Sequence, residues 1–109
     1  MTAPQPRHPV EKIVHQGLRL DHDQDRGRYS LWHGSTYIGF IGYHREGDIV
    51  TIQHTIVKEE FGRRGYARAL VTLVLDQLRN EGAKIVPECS YVQDYLRRYP
   101  EYSDMVVSA

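Results

Sequence analysis

Gly62, Arg63, Arg64, Gly65 and Arg68 stand together in the stretch Ile56-Val57-Lys58-Glu59-Glu60-Phe61-Gly62-Arg63-Arg64-Gly65-Tyr66-Ala67-Arg68. A β-branched run gives way there to a helical pattern. The first turn of a helix exposes unpaired N–H groups and a partial positive charge, so arginines clustered at that end oppose the helix unless an anion joins them. A phosphate-bearing ligand reverses the sign, because backbone donors and guanidinium groups share its charge. Gly62 and Gly65 let the main chain come close without a side chain between. The stretch is no Walker loop, since no Gly-Lys-Ser/Thr follows, and no dinucleotide Gly-x-Gly-x-x-Gly. A solvated basic loop whose glycines only make the turn accommodates the same residues, and both readings stay open on spacing alone.

The elements that must position this loop follow from periodicity. Residues 1–9 hold three of the five prolines and read as a flexible leader, with one domain over residues 10–109. Val10–Val14 and Tyr29–His33 read as short strands, and Thr36–His44 as a longer aromatic and β-branched one. Arg45-Glu46-Gly47-Asp48 supplies a turn before a strand over Ile49–Val57. In it Val50, Ile52, His54 and Ile56 share one face by strict alternation. Tyr66, Leu70, Leu73, Val74 and Leu78 then recur every three or four residues, a helix that Gly82 stops. Lys84-Ile85-Val86-Pro87 is a short strand. Ser90 with Gln93 makes a capping-box pattern for a second helix, striped by Tyr91, Val92, Tyr95, Leu96 and Tyr99 and stopped by Pro100. Met105–Val107 reads as a last strand. The class is α+β: antiparallel N-terminal strands, then a parallel β-α-β unit with helices packed on a mixed sheet.

Composition narrows the function classes. At 109 residues the chain builds one modest core. Fourteen basic and fourteen acidic residues cancel, which argues against a nucleic-acid binder. No apolar run approaches the ~20 residues of a membrane span, and Met1–Arg7 lacks the apolar stretch of a secretory signal. The single cysteine, Cys89, suits a reducing, cytoplasmic setting. The six histidines form no short ligand pair, so no metal is expected. Asp21-His22-Asp23-Gln24-Asp25 reads as a solvated loop between strands, and Arg97-Arg98 as complements to a helix C-terminus.

Gly65-x-Ala67 at a helix start, after a strand ending in Ile56-Val57, resembles the second half of the acetyl-CoA loop of the GNAT superfamily, Gln/Arg-x-x-Gly-x-Gly/Ala. The first position is Gly62 here, so the match is partial. His54-Thr55-x-Val57, Val86-Pro87-x-Cys89-Ser90-Tyr91-Val92 and Pro100-Glu101-Tyr102 resemble a small single-domain branch of GNAT-like N-acetyltransferases, a likeness running from Val10 to Val107. It implies acetyl-CoA bound where two parallel strands splay apart. The pantetheine arm would lie along Thr55, Ile56 and Val57, and the pyrophosphate on the amides of Arg63, Arg64, Gly65, Tyr66, Ala67 and Arg68. The implied reaction moves an acetyl group to an amine, with an acceptor the residues do not name. A protein or peptide is favoured because so short a chain leaves the acceptor side open.

Catalysis of that kind needs a base for the amine proton and an acid for the departing thiolate. Cys89, just before a helix, gains thiolate character there, and serves as nucleophile or proton donor or as inert packing. His54 has the right titration range for a base, yet its face suits a hydrogen-bonded core histidine. Tyr91, with Tyr95, stands as acid or as core. Two rival readings remain: a CoA-binding module without catalysis, and an interaction domain without cofactor. Monomer or weak homodimer both fit.

Overall fold

The computed structural model describes residues 17–107; Val10–Val14 and the leader lie outside them. Five strands form one sheet in sequence order: β1 (Leu18–Asp23), β2 (Arg28–His33), β3 (Thr36–Glu46), β4 (Ile49–Val57) and β5 (Lys84–Pro87). Helix α1 (Tyr66–Asn80) connects β4 to β5, and α2 (Ser90–Arg98) follows β5. β1 to β4 are antiparallel neighbours, and β4 and β5 run parallel. The architecture is the α+β mixed sheet that the alternation of periods implies.

Both helices pack on one face of the sheet. Leu70, Val71, Val74, Leu75 and Leu78 of α1 meet Tyr29, Leu31, Ile41, Val50, Ile52 and Ile85, all buried. Gly82, in the left-handed region at φ 75°, ends α1 as its position suggests, and the Ala83 amide donates back to the Leu78 carbonyl at 3.0 Å. The hydroxyl of Tyr95 on α2 donates to Thr72 Oγ1 at 2.6 Å, because the Thr72 proton is spent on the Arg68 carbonyl at 2.9 Å. The Tyr102 hydroxyl donates to Asp76 at 2.8 Å. These bonds tie α2 and the segment after it to α1.

Four expectations need correction. Asp21, His22 and Asp23 are not loop but the end of β1, where His22 stacks on Tyr29 with ring centroids 4.0 Å apart. Charges at alternate positions conceal the strand, since Arg19, Asp21 and Asp23 share the face away from the helices. Met105–Val107 is no strand: Pro100–Met105 is a 3₁₀ helix, and Val106 makes a single parallel bridge to Ile85. Ser90 is the first residue of α2 and not its cap; Cys89 holds that position, and the Gln93 side chain donates to the Pro87 carbonyl at 2.9 Å.

The fourth correction concerns β4. Its partners on β3 jump from Tyr43↔Ile52 to Gly42↔His54, which leaves Gln53 unopposed. Such a bulge reverses the alternation beyond it. Val50 and Ile52 point into the core, but Thr55 and Val57 continue their face, while His54 and Ile56 turn to the opposite side and are exposed. The expected face Val50-Ile52-His54-Ile56 is therefore broken at its midpoint.

Candidate acyl-CoA site

The site begins where β4 and β5 part. Their parallel pairs run Ile49↔Lys84, Val50↔Ile85, Thr51↔Val86 and Ile52↔Pro87, then stop. At the fork the Ile52 carbonyl accepts from the amides of Glu88 and Cys89, at 3.0 and 3.1 Å, which turns the chain off the sheet into α2. β4 runs on through Gln53–Val57, and no strand among the described residues pairs with that stretch on the β5 side. Its edge groups are left for another partner. β3 holds the other edge closely, with Gly39 so near that a Cβ there would lie 2.2 Å from the Ile56 carbonyl oxygen.

Beyond β4 the chain makes one 3₁₀ turn (Glu59–Phe61) and reaches α1 through Gly62, Arg63, Arg64 and Gly65. Arg63 and Gly65 both have positive φ, 63° and 84°, and no side chain caps the helix. Its first turn carries no acidic residue, so the dipole and the open amides act together on whatever lies in front of them. A cavity of about 290 Å³ occupies that space, lined by Val57, Phe61, Gly62, Arg63, Gly65, Ala67, Arg68 and Tyr91. The Nε of Arg68 is buried with no hydrogen-bond partner. A buried donor of that kind needs an acceptor, and an anion at the helix end supplies one.

Most of the expected loop residues meet at this cavity. Tyr66 does not line it: its side chain is buried and its hydroxyl bonds to His33 Nδ1 at 2.7 Å. Phe61 stands edge-on to the same ring, so His33, Tyr66 and Phe61 buttress the loop from below. No local pattern announces His33, which lies 33 positions from its partner. Arg64 does not line the cavity. Thr55 faces the helices and meets Cys89, whose thiol donates to the Thr55 hydroxyl at 3.4 Å. Ile56 projects from the other face and can offer only its backbone.

The three candidate catalytic residues separate. Cys89 sits at the fork, half-buried, at the head of α2. Tyr91 lines the cavity, and burial raises its hydroxyl above the usual value of 10 while Arg68 and Arg98 pull it down. His54 lies across the sheet from both, against Gly42. It is exposed, so it is not the core histidine that strict alternation suggests. Among the described residues no group of three or more His, Cys, Asp or Glu side chains could hold a metal ion, and no helix is long and apolar enough to cross a membrane.

Known proteins share this arrangement. Residues 28–105 match the family model of the GCN5-related N-acetyl-transferase. The chain is 32% identical to Protein NATD1 of Mus musculus over 85 residues, 76% of this chain and 77% of the relative. Protein NATD1 of Danio rerio is 29% identical over 94 residues, 83% of this chain and 86% of the relative. The solution structure of a GCN5-like protein from Staphylococcus aureus superimposes with a TM-score of 0.64 at 21% identity, over 87% of this chain and 93% of that one, a likeness of fold alone. With the model spanning both the forked strands and the loop, the chain belongs to the GCN5-related N-acetyltransferase family.

Proposed function

We propose that the protein is a cytoplasmic acetyl-CoA-dependent N-acetyltransferase whose acceptor is the amine of a protein or peptide. One observation carries the cofactor half of this reading: the unpaired edge of β4 leads directly to a glycine–arginine helix entrance with a buried, partnerless guanidinium nitrogen. The donor set fits the group. Thr55, Ile56 and Val57 offer backbone partners to an amide-bearing arm, while the amides of Arg63 to Arg68 and the side chains of Arg63 and Arg68 suit a pyrophosphate.

Acetyl-CoA supplies an activated acyl group on a good leaving thiolate. This chain's residues orient it and handle protons. Cys89 at the fork and Tyr91 on the cavity wall are X–H groups near the strand edge, and either can return a proton to the leaving sulfur. Backbone N–H groups released where the strands part can polarise a carbonyl. Among the described residues β1 runs into β2 through Gln24–Gly27 alone, and so short a connection supports the preference for a large acceptor.

Isothermal titration of acetyl-CoA into the wild type and into Arg63→Ala/Arg68→Ala tests the reading. Saturable micromolar binding that the double variant weakens supports it, and no binding to the wild type overturns it. A second reading, a CoA-binding module without catalysis, draws on the position of His54: its residue type and its strand make it the base candidate, and the bulge at Gln53 turns it away from Cys89. Acetyl transfer or hydrolysis by the wild type excludes that reading.

A further inference from the structure

The space at the head of α1 does not end at the loop. Arg68 and Tyr91 line the cavity already described, and the same two residues line a second cleft between α1 and α2, closed by Asp94, Tyr95, Arg98 and Tyr99. Its volume is about 60 Å³. Since a water molecule's share of liquid volume is about 30 Å³, the cleft has room for a phosphoryl-sized group and none for a purine. Its walls are fixed, because the chain Tyr95 hydroxyl to Thr72 hydroxyl to Arg68 carbonyl holds one helix against the other.

Charge in the cleft is positive and unspent. The buried Nε of Arg68 has no partner. Arg98 is exposed and in no ion pair among the described residues. The acid on the rim, Asp94, is already engaged by Arg97. Tyr91 senses both Arg68 and Arg98, so the three groups act on a common volume. Guanidinium groups and a hydroxyl facing a phosphoryl-sized hole are a donor set for a phosphate dianion.

We propose that this cleft binds the 3′-phosphate of the CoA nucleotide, with Arg98 as its own cation, Arg68 shared with the pyrophosphate and Tyr91 as a neutral donor, which leaves the return of a proton to the leaving sulfur to Cys89. The proposal rests on the acetyl-CoA reading above. It makes Arg98, 33 positions beyond Gly65 in the sequence, a residue that selects CoA over nucleotides lacking the third phosphate.

Calorimetric titration of CoA and of 3′-dephospho-CoA at low ionic strength tests it, with wild type, Arg98→Gln and, as a control, Arg26→Gln at the exposed β1–β2 turn, which pairs only with Asp23 among the described ion pairs. A charge-assisted contact is worth about 1.5–3 kcal/mol, so the wild type should prefer CoA by ~10-fold or more. Arg98→Gln should remove most of that preference and leave dephospho-CoA affinity unchanged, while Arg26→Gln keeps it. Equal affinity of the wild type for the two nucleotides overturns the subsite and spares the acetyl-CoA reading. Equal weakening of both by Arg98→Gln also overturns it, since the charge then acts at long range. No binding of either nucleotide sinks the acetyl-CoA reading itself. Inorganic phosphate is the remaining arm: heat that Arg98→Gln abolishes, without any preference for CoA, assigns the cleft to a free anion and overturns the proposal.

Discussion

Cys89 and Thr55 clasp the fork from its two sides. The thiol donates to the Thr55 hydroxyl across 3.4 Å, and the Cys89 amide donates to the Ile52 carbonyl at 3.1 Å. Thr55 belongs to the half of β4 that β5 leaves unpaired, so the sulfur is held beside the strand edge that an acyl-CoA arm would occupy. The bulge at Gln53 is what makes this contact available. Without it Thr55 would point to the far face and His54 would stand where Thr55 now is.

A chemical role for the thiol separates from a packing role by kinetics. Cys89→Ala should reduce acetyl transfer, or release of CoA from acetyl-CoA, by ~100-fold or more if the thiol transfers a proton or attacks, with the acetyl-CoA Kd unchanged within about twofold. Thr55→Val removes the acceptor of the thiol and keeps its volume, and should cost under ~10-fold. Full activity in Cys89→Ala, measured by chromatographic detection of CoA, reduces Cys89 to a small half-buried residue.

Close approach of β3 and β4 predicts a stability defect felt at the site. A Cβ on Gly39 would lie 2.2 Å from the Ile56 carbonyl oxygen and 2.8 Å from the Val57 Cα, and both contacts are backbone that cannot rotate aside. Overpacking of this kind costs about 1–3 kcal/mol. Gly39→Ala should lower the urea midpoint accordingly and weaken acetyl-CoA binding as well, since Ile56 and Val57 are the residues displaced. Gly34→Ala is the contrast: nothing lies within 4 Å of its Cβ, so it tests backbone conformation without the clash and should leave acetyl-CoA affinity intact.

Much of this was legible in the residues, and what was not has definite causes. The switch from period two to period 3.6 between Val57 and Tyr66 located the strand, the loop and α1, and Gly82 and Pro100 marked the helix ends. The loop's composition was equally plain, but an anion cradle and a solvated basic turn share those glycines and arginines. The register of β4 was hidden. Ile-Val-Thr-Ile-Gln-His-Thr-Ile-Val carries an apolar residue at nearly every second position, and nothing local says that pairing skips Gln53; that is decided by the packing of β3 across it. β1 was hidden by its charges, and the His33–Tyr66 and Arg68–Arg98 relations by sequence distance.

Alkaline pH should unfold the protein through its buried tyrosines. Burial raises the hydroxyls of Tyr29 and Tyr95 from the usual 10 to about 12 in each case. In the unfolded chain both ionise near 10 while the folded protein keeps them neutral, so the stability they contribute is whole below pH 10 and falls as pH rises towards 12. The slope is about 1.4 kcal/mol per pH unit for each at most. Urea midpoints measured at pH 9, 10 and 11 should fall more steeply over the second step. Tyr29→Phe should flatten the fall more cleanly than Tyr95→Phe, because the Tyr29 hydroxyl has no hydrogen-bond partner to lose.

The two loop glycines should respond differently to the same substitution. Gly65 sits at φ 84° at the head of α1, where an L side chain costs about 1–2 kcal/mol. Gly65→Ala should either lower stability by that amount or push the loop into another conformation that loses the proposed pyrophosphate cradle. Both outcomes weaken acetyl-CoA binding, and Gly65→Asn, which tolerates the left-handed region better, should recover part of it. Gly62 has ordinary extended dihedrals, φ −65° and ψ 153°, and a Cβ there meets only the Glu59 carbonyl oxygen at 3.3 Å. Gly62→Ala should therefore be nearly neutral in stability, within about 0.5 kcal/mol. Gly62→Gln, which puts a residue of the Gln/Arg type at the first position of the loop pattern, should fold as well and keep acetyl-CoA affinity. If calorimetry instead finds Gly62→Ala as damaging as Gly65→Ala, the backbone at Gly62 approaches the ligand more closely than the loop's dihedrals require.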